Sequence, residues 1–78
     1  MELIGYQQNS ESEKSYELSG LYISAAPEAL RAIASFLLDA AAEMDELGAD
    51  FGHLHFMDHW PQWKGGTPDI QVLRPKFL

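Results

Sequence analysis

Apolar and polar positions alternate along the first part of the chain and then change period. Leu3, Ile4 and Tyr6 mark a short strand over about Glu2–Gln7. Gln8–Lys14 carries no apolar side chain and reads as the loop of a hairpin. Tyr16, Leu18, Leu21 and Ile23 then predict a second strand over Ser15–Ala25. The alternation slips at Ser19-Gly20, and a glycine inside a strand pattern predicts a bulge or bend there. Tyr22 falls on the face opposite Leu21 and Ile23.

From Pro27 the period becomes helical. Proline suits the first helical turn, where its missing N–H needs no partner, and Glu28 suits the positive end of the dipole. Ala26 is a poor N-cap and Ser24 lies too early to serve. Leu30, Ile33, Ala34, Leu37, Ala41 and Met44 recur at helical spacing and predict the buried stripe, with Leu37 between helix and sheet. Phe36 and Ala40 widen that stripe on one side, and Leu38 lies near its other edge. Arg31, Ser35, Asp39, Glu43 and Glu46 take the wetter face. Gly48 supplies the terminator of a helix spanning Pro27–Leu47.

Phe51–Phe56 predicts a third strand, with His53 and His55 on one face and Leu54 and Phe56 on the other. Met57–Pro68, with two prolines and a Gly-Gly pair, is a long turn. Asp69–Arg74 predicts a fourth strand, ended by Pro75, and 76–78 is a short tail. The order β-β-α-β-β predicts an α+β fold: a four-stranded, mainly antiparallel sheet with one long helix packed on one face. Strand order stays open. Residues 1–78 are expected to form a single domain.

Composition narrows the function. A chain of 78 residues buries only about 60% of its unfolded surface, so its stability is modest and leaves room for help from a partner or a second copy. An open sheet keeps two edges, and the Ser15–Ala25 strand is long and lightly charged, which predicts a homodimer. The absence of cysteine excludes disulfide scaffolds, thiol nucleophiles and Cys-ligated zinc. The most apolar stretch, Ala29–Ala42, is interrupted by Arg31, Ser35 and Asp39 and is too short to span a bilayer. Met-Glu-Leu-Ile-Gly lacks the basic start of a secretory signal, so the expected compartment is the cytoplasm.

Twelve acidic residues against five basic ones leave a formal net charge of −7. That balance opposes binding to nucleic acid or an anionic membrane and favours a cationic partner. Asp39, Glu43, Asp45, Glu46 and Asp50 follow one another with no Lys or Arg among them, a cluster suited to steering a basic protein. A second group, Glu11, Glu13 and Glu17, is offset only by Lys14.

Two motifs carry candidate chemistry. His53 and His55, one residue apart on a strand, share a face, and His59 beside Asp58 supplies a third imidazole if the chain turns back. His53, His55 and His59 are therefore the candidate metal ligands of an alternative reading, a small histidine-based metal- or ligand-binding domain. The plainer reading leaves His53 and His55 on the open sheet face, with no metal and no cofactor. Trp60-Pro-Gln-Trp63 either packs over the helix end or anchors a partner, because tryptophan offers large contact area. No serine lies in a nucleophile elbow, and Gly65-Gly66 lacks the Lys-Ser/Thr and helix of a phosphate loop. An enzyme is not expected.

Glu17-Leu-Ser-Gly-Leu-Tyr-Ile-Ser-Ala-Ala-Pro-Glu-Ala-Leu30 leads a strand into a helix that opens on Pro-Glu. Phe36-Leu-Leu38, Ala41-Ala-Glu-Met44, His53-Leu-His-Phe-Met-Asp58 and Pro68-Asp-Ile-Gln-Val72 follow. This succession, over about residues 15–75, resembles the small immunity proteins of bacterial polymorphic toxin systems, in particular the family numbered 32. The His-x-His-x-x-Asp stretch and the Pro-Asp-hydrophobic strand carry the likeness; Ala26 departs from it where a capping Thr or Ser is expected. The resemblance implies a non-catalytic cytoplasmic protein that binds and neutralises a cognate toxin. Many such toxins are basic nucleases, to which an acidic inhibitor is complementary. The candidate partner-binding residues are Asp39, Glu43, Asp45, Glu46, Asp50, Asp58, Trp60, Trp63, His53 and His55. A structural homodimer without a toxin partner is the remaining alternative.

Overall fold

The computed structural model describes residues 1–6 and 15–75; the expected hairpin loop at 8–14 and the tail at 76–78 lie outside the described residues. The fold is α+β. Strands β1 (Ile4–Tyr6) and β2 (Ser15–Glu17) precede helix α1 (Pro27–Leu47), and β3 (His53–His55) and β4 (Gln71–Leu73) follow it. The expected order β-β-α-β-β is present, and the helix has the bounds that Pro27 and Gly48 predict.

The strands form two separate antiparallel pairs and not one four-stranded sheet. β1 faces β2 in the register Ile4↔Glu17, Gly5↔Tyr16, Tyr6↔Ser15. β3 faces β4 as His53↔Leu73, Leu54↔Val72, His55↔Gln71. Between the pairs lies a cavity of about 1330 Å³. It is walled by the whole of β1 and β4 and touches no residue of β2 or β3. The inner strands therefore face one another across a gap, and the sheet is parted at its middle.

The second strand is shorter than the Ser15–Ala25 expected. Its last rung is the Leu18 N–H bonded to the Leu3 carbonyl at 2.7 Å, after which Ser19 bends the chain away. The bend at Ser19-Gly20 ends the ladder where a bulge would only have kinked it. Leu21, Tyr22 and Ile23 continue without strand partners and remain exposed.

Helix α1 begins without a side-chain cap at Ala26, whose carbonyl accepts the Leu30 N–H at 3.1 Å. It ends at Gly48, φ +54° and ψ −121°, whose N–H bonds to the Met44 carbonyl. The buried stripe lies to one side of the one expected. Phe36 and Ala40 are the residues of α1 that are buried, and Leu37 is 45% exposed. Leu30, Ala34 and Ala41 are exposed as well, while Ile33 and Met44 are half-buried. The reason is the parted sheet: Phe56 and His59, in and after the turn that follows β3, cover the Phe36 side, while Leu37 borders both open cavities. With Phe51 and Phe56, Phe36 and Ala40 make up the buried apolar core.

Candidate functional site

The 3.6-residue repeat gives α1 two unlike flanks. Asp39, Glu43 and Glu46 stand at i, i+4 and i+7 and form one acidic stripe, in which Glu43 is half-buried and the others exposed. Asp45, expected with them, falls on the other side of the helix. Asp50 lies past the helix end in a 3₁₀ turn, Gly48–Asp50, and is exposed. Asp58 closes a second 3₁₀ turn, Phe56–Asp58, and is exposed too.

Phe36 joins these parts. It shares the helix face of Asp39 and Glu43, at i, i+3 and i+7. Its ring packs against Phe56, 5.5 Å between centroids, and against His59 at 5.4 Å. The turn carrying Asp58 is thereby held on the same side of α1 as the acidic stripe. Among the described residues, the one salt bridge is His55 with Asp69, and it involves none of these carboxylates.

The His55–Asp69 contact ties β3 to the segment that leads into β4. The β3–β4 register carries on past His55↔Gln71, with the Phe56 N–H bonded to the Ile70 carbonyl at 2.8 Å. One step further, Asp69 stands level with Met57. Its Oδ1 accepts the Met57 N–H at 2.9 Å, and its Oδ2 lies 2.7 Å from Nδ1 of His55. Burial raises the Asp69 pKa, but hydrogen bonds from His55, Met57 and Ile70, with the His55 charge, outweigh it and hold it below the usual 3.8. The latch binds the His-x-His-x-x-Asp stretch to the Pro-Asp-hydrophobic strand. Asp69 was not among the expected site residues. Its only sequence signal is an aspartate directly before a strand, and its partner becomes apparent once the register is known.

The three histidines do not converge. His53 and His55 meet edge to face, 5.0 Å between ring centroids. His59 turns away onto Phe36 and donates from Nδ1 to the His55 carbonyl at 2.9 Å. Among the described residues, no group of three His, Cys, Asp or Glu is arranged to hold a metal ion.

Both tryptophans are half-buried and tied into their own loop. Trp60 stacks on Phe56 with centroids 5.3 Å apart, and its N–H bonds to the Phe56 carbonyl at 3.1 Å. Trp63 donates its backbone N–H to the Trp60 carbonyl at 3.0 Å and its indole N–H to the Pro68 carbonyl at 3.4 Å. Trp60 also walls a second, apolar cavity of about 580 Å³, together with Leu3, Leu21, Ile33, Leu37 and Phe56. No helix among the described residues is long and apolar enough to cross a membrane.

An acidic helix flank, a latched hairpin and a half-open apolar interior characterise this small α+β module. Residues 20–75 match the family described as Immunity protein 32, and the chain belongs to that family. No curated protein and no solved structure matches it.

Proposed function

We propose that this protein is a single-domain immunity protein that acts in the cytoplasm by binding a cognate toxin and blocking it through occupancy, without chemistry of its own. The family match over residues 20–75 carries this reading. The acidic surface supports it: Asp39, Glu43, Glu46 and Asp58 lie on one side of the molecule with Asp50 at the helix end, and a basic toxin is drawn to such a surface. Asp45 faces elsewhere and does not belong to this contact. Trp60 and Trp63, half-buried in the loop after Asp58, and His53 and His55 on β3 are the remaining contacts proposed for the partner.

The test uses the polypeptide encoded beside this one as the immobilised partner. Reversing Glu43 and Glu46 to Lys is expected to slow association about tenfold at low salt, with the difference shrinking as salt screens the charges. Unchanged association at every ionic strength would remove the acidic flank from the interface. Absence of binding by the unaltered protein would contradict the reading itself.

A further inference from the structure

The parted sheet leaves two strand edges facing one another. In an antiparallel pair, alternate residues turn their N–H and C=O groups to the partner strand, and the residues between turn theirs outward. The Leu18 N–H bonds to the Leu3 carbonyl, so Leu3 and Gly5 face β2 while Ile4 and Tyr6 face outward. The Phe56 N–H bonds to the Ile70 carbonyl, so Ile70 and Val72 face β3 while Gln71 and Leu73 face outward. Among the described residues, no third strand takes up these outward groups on either pair. Both edges border the cavity of about 1330 Å³, which the apolar residues Leu18, Leu21 and Leu37 also line. We propose that this gap receives an extended segment of the toxin, which pairs with β1 on one side and β4 on the other and joins the two pairs into one sheet.

The inference rests on the reading of this protein as a toxin-binding immunity protein, and adds where and how part of the toxin is held. Backbone chemistry selects the occupant. Rows of outward amide and carbonyl groups at strand spacing are matched by another extended backbone, the pairing by which an exposed sheet edge takes up a peptide. Serving both edges at once requires a segment with no strand neighbours of its own. A second copy does not offer one, since each of its described strands already has a partner on one side. The rest of this chain does not supply one either. Residues 7–14 carry no apolar side chain to set against Leu21 and Leu37, and 76–78 are too few to turn back and line both edges. Pairing along residues 2–6, which border the gap, takes about five residues, or about 17 Å of extended chain. Side chains alternate across a sheet, so the segment should present apolar residues at every second position, toward Leu37, and polar ones between.

The test is amide hydrogen exchange of the full chain, alone and bound to the polypeptide encoded beside it. In the free protein the amides of Ile4, Tyr6, Gln71 and Leu73 are expected to exchange rapidly, while those of Gly5, Leu54 and Val72 are held by their ladders. In the complex the first four should slow about tenfold or more. Leu73→Pro supplies a second arm. It deletes an outward N–H and leaves the bonds to β3 in place, a setting in which strands accept proline. With an unchanged far-UV spectrum, it should weaken the complex about fivefold more than Leu73→Ala, which keeps the N–H. Slow exchange of the four amides in the free protein would overturn the proposal, because the gap would then be filled without the toxin. A complex that leaves them exchanging rapidly, or that tolerates Leu73→Pro as well as Leu73→Ala, would overturn it too and leave the toxin-binding reading standing. Absence of any complex with the unaltered protein would overturn both.

Discussion

Neighbouring residues on α1 should differ sharply in what they contribute to stability. Phe36 is 2% exposed, and its ring meets Phe56 and His59. Phe36→Ala removes that ring from a packed site and should cost about 3–5 kcal/mol. Leu37 is 45% exposed and borders open cavities on its buried side, so truncation adds no enclosed void. Burying a whole leucine side chain is worth about 1.5–3 kcal/mol, so Leu37→Ala should cost only about 1 kcal/mol. A domain of this size has about 4–12 kcal/mol in total, so Phe36→Ala brings it close to unfolding and Leu37→Ala does not. Urea denaturation resolves the two, read by helix circular dichroism and by fluorescence of Trp60, which stacks on Phe56. It is run at concentrations low enough for one chain per particle. Phe36→Leu provides a milder variant if the alanine does not fold. A loss at Leu37 equal to or above that at Phe36 would show that the sheet closes over Leu37, and the parted arrangement would be wrong.

Other positions yield further expectations. Asp69→Asn should cost about 1 kcal/mol at neutral pH, a value reduced for partial exposure, since Asp69 accepts from both His55 and Met57. Because its folded pKa is lowered, Asp69's contribution is complete above the usual 3.8 and is lost as pH falls through the folded value. The stability difference between parent and variant should therefore close in acid, and a difference that persists there would refute the latch. Gly48 holds a backbone conformation that side chains rarely adopt, so Gly48→Ala should lower stability by about 1–2 kcal/mol in the same assay although its Cβ meets nothing. A chelator should leave the melting temperature unchanged, because His53, His55 and His59 do not converge; a drop reversed by Zn²⁺ would contradict that geometry.

The long helix was legible because its signals are local: Pro27 at the start, Gly48 at the end and a helical apolar period between them. Its buried face was not. The apolar arc is wider than the part this chain covers, so periodicity centres on Leu37 while Phe36 and Ala40 enter the core. The long second strand, from whose edge a homodimer was expected, ends at Glu17. The four strands were legible as alternation, but their assembly into two pairs depends on which strands meet, and alternation says nothing of that. Of the carboxylates, Asp39, Glu43 and Glu46 share a stripe by spacing alone. The place of Asp58 beside them follows from Phe36 meeting Phe56 and His59, a contact between distant segments. The link between His55 and Asp69 likewise exists only through the β3–β4 register.

The central claim is that this member of the Immunity protein 32 family neutralises a toxin by direct contact. Its most direct measurement is growth of cells that express the polypeptide encoded beside this one, with and without this protein. The account predicts arrest in the first case, rescue in the second, and recovery of both chains in one complex from the rescued cells. Arrest that persists despite folded, abundant protein would contradict it.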